Sequence, residues 1–190
     1  STFNLIMNNK NLPLGLTLFR IFLTIPIVIG LFLQNENINW ICVVLFYIAS
    51  ITDYYDGYFA RKLKAVTNLG KFLDPVADKI LVSSVLTVLV ALQKVDIWMV
   101  ILFISRDTLI GGIRAAASAD MVIIDAQTTG KWKAALQMIS IPLLMVNDLH
   151  PYFPSQKIGY GLLWFSVGLS LLSGWQYIQL YINAKHKIKI

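Results

Sequence analysis

Ten acidic residues occur in the chain of 190, and four of them, Asp53, Asp56, Asp74 and Asp78, fall within 26 consecutive positions. The run reads Asp53-Tyr54-Tyr55-Asp56-Gly57-Tyr58-Phe59-Ala60-Arg61. Eight residues later it resumes as Gly70-Lys71-Phe72-Leu73-Asp74-Pro75-Val76-Ala77-Asp78. On helices, residues three or four apart share a face, so each pair of acids lies on one side of its segment. A single pair would ordinarily cap a helix or meet Lys62, Lys64, Lys71 or Lys79 at a wet interface. Four carboxylates drawn together need a stronger counter-charge. All-oxygen donors suit hard divalent ions such as Mg²⁺, Mn²⁺ or Ca²⁺. No His or Cys joins the run, which disfavours zinc. Two bridged ions would suit a phosphoryl-type displacement. Gly57 opens the helix face to close approach, Ala60 keeps it shallow, and Arg61 can pair bidentately with a phosphate.

The elements that position these acids are apolar. Hydrophobic residues make up 57% and charged residues 14% of the chain, and mean hydropathy is +0.67. Such a composition excludes a disordered chain, a collagen and an ordinary soluble globule. Six continuous apolar blocks fall near Leu14–Leu33, Ile38–Gly57, Pro75–Leu92, Ile97–Ala117, Trp132–Leu149 and Ile158–Tyr181. Each is about long enough, at about 20 helical residues, to cross a bilayer. The blocks do not alternate, which argues against a β-barrel. The expected fold is an all-α integral membrane protein of six transmembrane helices. It forms a single domain over 1–190, with a juxtamembrane segment at 1–13 and a basic tail at 184–190. Residues 1–13 lack the pattern of a cleavable signal. The acid pairs would then end the second block and open the third, whose helices should be neighbours.

Net charge is +6, from 16 Lys and Arg against 10 Asp and Glu. If the helices alternate, 14 of the 16 basic residues fall on or near one side, leaving Lys94 and Lys157 on the other. Positive residues mark the cytoplasmic side, so both termini and the acids are expected there. The basic excess is accounted for by this anchoring and by anionic lipid, not by nucleic acid. The expected location is the cytoplasmic membrane, multi-pass. The lone Cys42 lies in an apolar block.

The run of acids resembles the signature of the CDP-alcohol phosphatidyltransferase family, D-x-x-D-G-x-x-A-R-x8-G-x-x-x-D-x-x-x-D. Asp53, Asp56, Gly57, Ala60, Arg61, Gly70, Asp74 and Asp78 match its fixed positions. The resemblance implies six transmembrane helices, often a homodimer, and a site facing the cytoplasm. It also implies divalent metal, Mg²⁺ or Mn²⁺, expected as two ions, with a CDP-linked lipid as donor and CMP as leaving group. Carried over, Asp53, Asp56, Asp74 and Asp78 are metal ligands, and Asp78 is also the general base. Gly57 and Ala60 receive the cytidine, and Arg61 the diphosphate.

Other segments narrow the acceptor. Asn11-Leu12-Pro13-Leu14-Gly15-Leu16-Thr17-Leu18-Phe19-Arg20 is similar to the N-P-x-x-L-T-x-x-R entry of the bacterial branch that makes phosphatidylglycerophosphate. Thr17 and Arg20 share a face there and can point at a nucleotide or phosphate, although interfacial snorkelling would also explain Arg20. Arg106-Asp107, then Arg114, then Gly130-Lys131-Trp132-Lys133 resemble the R-E-x6-R and G-K-x-K segments of the same branch, with Asp107 where Glu is expected. Arg106, Arg114, Lys131 and Lys133 make a cationic group suited to an anionic acceptor. Glycerol 3-phosphate fits it; serine and myo-inositol carry no net negative charge. The expected activity is transfer of the phosphatidyl group from CDP-diacylglycerol to glycerol 3-phosphate. The alternatives are inositol phosphate, serine or phosphatidylglycerol as acceptor, or a divalent-cation transporter. A transporter would place its acids at mid-membrane. In the last block, Gly161, Gly168, Gly174, Ser166, Ser170 and Ser173 suggest close helix packing.

Overall fold

The computed structural model of the chain describes residues 12–62, 68–119, 128–147 and 154–188, with the backbone alone described at 12–14, 16, 53–62, 68–75, 78, 119, 128, 129 and 186–188. Among the described residues there are six α-helices and no strand. They are α1 Leu12–Phe32, α2 Glu36–Lys62, α3 Asn68–Ala91, α4 Ile97–Ala119, α5 Thr128–Met145 and α6 Ser155–Ile188.

Each expected apolar block contains one helix, but several ends move. α2 runs on past Gly57 to Lys62. One interior glycine costs a helix only about 1 kcal/mol, and Tyr, Phe, Ala and Arg continue it. α3 begins at Asn68, so Gly70 lies in its first turn and Pro75 lies well inside it, not at its start. α5 begins at Thr128 and ends at Met145, short of Leu149. α6 absorbs most of the expected basic tail, reaching Ile188. Lysines in a last helical turn are favoured by the helix dipole. The expected N-terminal segment lies outside the described residues up to position 11, and helix begins at Leu12.

α1 packs along both α2 and α3, which touch each other more sparsely among the described residues. α5 lies along α6, α4 also packs on α6, and α3 reaches both α4 and α5. The shared core holds Ile27 and Leu31 from α1, Phe46 from α2, Leu81 and Leu89 from α3, Met99 from α4, Ile141 and Leu144 from α5 and Leu163 from α6. The α1–α2 contact is close because Gly30 has no side chain: a Cβ there would stand 2.5 Å from Cys42 Sγ.

At the end of the bundle away from the acids, the α3–α4 turn ties the helices together. Gln93 adopts a left-handed φ of 58°. Its amide donates to Val90 and the amide of Lys94 to Leu89, both at 2.9 Å, which closes α3 with a Schellman-type cap. The Lys94 ammonium then donates to the carbonyls of Met145 and Val146 at the C-terminal end of α5, each at 3.5 Å. A cation there satisfies carbonyls that the helix leaves unpaired.

The outer surface is apolar. Phe22 is 68% exposed, Trp98 68% and Phe165 61%, and they are joined by Ile25, Ile29, Val44, Ile48, Ile101, Leu172 and Trp175. So extended an apolar surface suits lipid, not water. Among the described residues α6 is long and apolar enough to cross a bilayer over Ser155–Lys185. Shorter apolar stretches run through Thr17–Phe32, Glu36–Thr52 and Lys79–Ala91. Arg20 lies within the first of these stretches, and Asp53 and Asp56 follow the second on α2 while Asp74 and Asp78 precede the third on α3.

Candidate active site

Two helices carry the acids. Asp53 and Asp56 lie on the last turns of α2, and Asp74 and Asp78 lie on the first half of α3. Both pairs are helical, so the three- and four-residue spacings place each pair on one face. Gly57, Ala60 and Arg61 follow on α2. The side chains of all seven lie outside the described residues. A donor set of carboxylates alone, on two consecutive helices, fits a hard divalent cation.

Beside the middle of α3, from Lys79 to Leu86, a described cavity of about 620 Å³ opens between α3, α4, α5 and α6. Arg106, Arg114, Lys131 and Lys133 all line it, so the structure brings together the four basic residues singled out in the sequence. Asp107 lies among them. Its Oδ1 accepts from Lys133 Nζ at 2.6 Å and from Arg106 Nη1 at 2.9 Å. Arg106 is further fixed by α6: Nε donates to the Ser170 carbonyl at 2.8 Å and Nη2 to Ser173 Oγ at 3.2 Å. Lys133 also lies 5.3 Å from the Phe103 ring centroid, and Ser166 Oγ donates to its carbonyl at 3.1 Å. Arg114 lies over the Tyr177 ring at 5.4 Å. Lys79 completes the group, donating from Nζ to the Asp107 carbonyl at 2.9 Å.

The first helix contributes two buried polar residues. Thr17 is 2% exposed and Arg20 is 0% exposed. Complete burial excludes snorkelling as the account of Arg20, since a snorkelling head group stays in water. The Arg20 carbonyl accepts from Thr24 Oγ1 at 3.0 Å.

The family profile of the CDP-alcohol phosphatidyltransferases matches residues 10–172. The chain belongs to the CDP-alcohol phosphatidyltransferase family. Among curated relatives, it is 39% identical over 180 residues to the CDP-diacylglycerol–glycerol-3-phosphate 3-phosphatidyltransferase of Bacillus subtilis (strain 168), covering 88% of this chain and 93% of that protein. It is 35% identical over 173 residues to the protein of the same name from Rickettsia bellii (strain RML369-C), covering 90% and 95% of the two chains. It is 39% identical over 150 residues to the one from Mycoplasma pneumoniae, covering 70% and 66%.

In this CDP-alcohol phosphatidyltransferase, α2 and α3 carry the eight signature positions, and the region matched to the family spans α1 through most of α6. The described cavity includes residues that the sequence did not single out as binding: Lys79, Phe103, Ser173 and Tyr177. Lys79 carried a signal, being an ammonium directly after Asp78 at the head of an apolar run. Ser170, Ser173 and Gly174 carried one as small residues, but their contact with Arg106 on another helix is a matter of tertiary structure. Gly161 and Gly168 have nothing within 4 Å of an added Cβ, so they take no part in packing within the described chain.

Proposed function

We propose that this protein is a phosphatidylglycerophosphate synthase, which transfers the phosphatidyl group of CDP-diacylglycerol to glycerol 3-phosphate and releases CMP. The observation that carries the reading is the extent of the likeness: relatives of that printed activity align over most of this chain, acid signature included. The cation-lined cavity beside the middle of α3 supports the choice of acceptor, because a phosphate dianion is what four or more converging cations would hold.

In this reading Asp53, Asp56, Asp74 and Asp78 hold the divalent ions, Mg²⁺ or Mn²⁺, expected as a pair. Bound there, they would neutralise the diphosphate and stabilise departing CMP. Gly57 and Ala60 receive the cytidine, Arg61 the diphosphate, and Thr17 and Arg20 the nucleotide phosphate. Asp78 accepts the proton of the acceptor hydroxyl as that oxygen bonds to the phosphorus bearing diacylglycerol and the bond to the CMP oxygen breaks. A carboxylate is a weak base for an alcohol, so positioning of both substrates carries much of the acceleration. Arg106, Arg114, Lys131 and Lys133 hold the acceptor phosphate, with Asp107 keeping Arg106 and Lys133 in place.

The same reading has six membrane crossings, both termini and the acids on the cytoplasmic side of the cell membrane, and a homodimer. The apolar outer surface and the run of charged positions at the C-terminal end of α2 and in the N-terminal half of α3 support the crossings. The deciding experiment is CMP release from CDP-diacylglycerol with glycerol 3-phosphate, glycerol, serine, inositol phosphate and phosphatidylglycerol offered in turn. Release dependent on glycerol 3-phosphate supports the reading, and dependence on another alcohol reassigns the acceptor.

A further inference from the structure

We infer that Lys79 is a fifth phosphate-binding cation of this cavity, held over Gly111 on the wall that α3 forms; the inference rests on glycerol 3-phosphate being the acceptor. Lys79 follows Asp78 directly on α3. Its ammonium crosses to α4 and donates to the Asp107 carbonyl at 2.9 Å. Gly111 makes the room: a Cβ there would stand 2.9 Å from Nζ, so the ammonium would have to shift. In an α-helix the carbonyl of residue 107 faces the amide of residue 111, so the missing side chain uncovers that oxygen.

Arg106 is seated on α6 in the same manner. Its Nε donates to the Ser170 carbonyl at 2.8 Å, and a Cβ on Gly174 would stand 3.2 Å from that Nε. In both places the glycine lies one helical turn beyond the accepting carbonyl. Two cations from two helices are therefore set by main-chain oxygens, which do not move as side chains do.

Anchoring by one carbonyl takes one of the three donors of an ammonium and leaves two for a ligand. Lys79 lines the cavity with Arg106, Arg114, Lys131 and Lys133, and among the described lining residues Asp107 is the one acid. Five cations facing one cavity suit a phosphate as ligand. Glycerol 3-phosphate carries its reacting hydroxyl and its phosphate on one short carbon chain. The groups that hold its two ends must therefore be close. Among these cations Lys79 alone lies on α3, the helix that carries Asp74 and Asp78, so in this reading it holds the phosphate from the α3 wall of the cavity. An ammonium at the head of an otherwise apolar stretch is expensive unless it has such a task.

The test measures CMP release by the full chain in nanodiscs, with saturation curves for each substrate, in the parent and in Lys79→Met, Lys79→Gln, Lys79→Arg and Gly111→Ala. Met and Gln should raise the acceptor KM about tenfold or more, with the donor KM within about twofold of the parent, and Arg should recover most of the loss. Gln retains a hydrogen-bond donor for the Asp107 carbonyl without the charge, so a parent-like acceptor KM in Lys79→Gln overturns the inference. Gly111→Ala keeps Lys79 and shifts its ammonium from the place it holds over the Asp107 carbonyl. It too should raise the acceptor KM selectively, and an unchanged value overturns the inference even if the Lys79 variants fail to fold. A parent that releases no CMP with glycerol 3-phosphate sinks the functional reading itself. A parent that does, beside variants of unchanged acceptor KM, sinks only the role of Lys79.

Discussion

The Lys133 ammonium lies 2.6 Å from Asp107 Oδ1, and the Arg106 guanidinium shares that oxygen at 2.9 Å. Three helices meet in this arrangement: α4 supplies the adjacent Arg106 and Asp107, α5 supplies Lys133, and α6 seats Arg106 through Ser170 and Ser173. Side-chain exposures of 14% for Arg106 and 9% for Lys133 mean that water screens them little. Asp107 is thus the counter-ion that lets two cations face one cavity.

Asp107→Asn should therefore destabilise the protein by about 3 kcal/mol, the low end for breaking a buried ion pair. The melting midpoint in detergent should fall by several degrees. Glycerol 3-phosphate should raise that midpoint more in the variant than in the parent, because the phosphate replaces the lost carboxylate charge. Equal stabilisation of both proteins would remove the link between this pair and the acceptor.

Arg114 offers a cleaner probe of the acceptor site. It lies over Tyr177 at 5.4 Å and makes no ion pair among the described residues, so Arg114→Leu should leave the fold nearly as stable as before. One charge-assisted contact contributes about 1.5–3 kcal/mol. The acceptor KM should rise by about tenfold or more while the donor KM moves far less. A raised donor KM with an unchanged acceptor KM would assign Arg114 to the lipid nucleotide.

The acids separate by role. Asp53→Asn, Asp56→Asn and Asp74→Asn should each abolish CMP release, and EDTA should do the same to the parent. Full activity in chelator would refute metal dependence. Asp78→Asn should stop turnover yet leave CDP-diacylglycerol binding in Mg²⁺ or Mn²⁺ largely intact. Loss of donor binding as deep as in Asp53→Asn would make metal ligation, in place of proton transfer, the chief role of Asp78.

Topology can be read by cysteine labelling after Cys42→Ala. Asn68→Cys, at the start of α3, should label from the cytoplasmic side, and Lys157→Cys, in the first turn of α6, from the outer side. An externally labelled Asn68→Cys would overturn the proposed orientation.

The sequence by itself determined what is local or repeated along the chain. Asp53 and Asp56, then Asp74 and Asp78, are separated by helical intervals, so their sharing of faces follows from the rise of one helix and needs no partner. The six apolar blocks follow in the same way, because a segment in lipid must satisfy its own backbone and so becomes helix. Helix ends were less legible. Pro75 reads as a first-turn residue, yet α3 begins at Asn68. Propensity does not decide where helix begins when neighbouring chain can still bury its turns. Tertiary structure alone decided the partners. Arg20 reads equally well as a snorkelling interfacial residue, and only the packing of α1 shows that it is fully buried. Ser170, Ser173 and Gly174 read as packing residues, and only the approach of α4 turns them into the seat of Arg106. Lys79 and Gly111 lie 32 positions apart, on different helices, with no periodicity to connect them. Contacts across helices depend on crossing angles set by the whole core, and no interval within the chain records them.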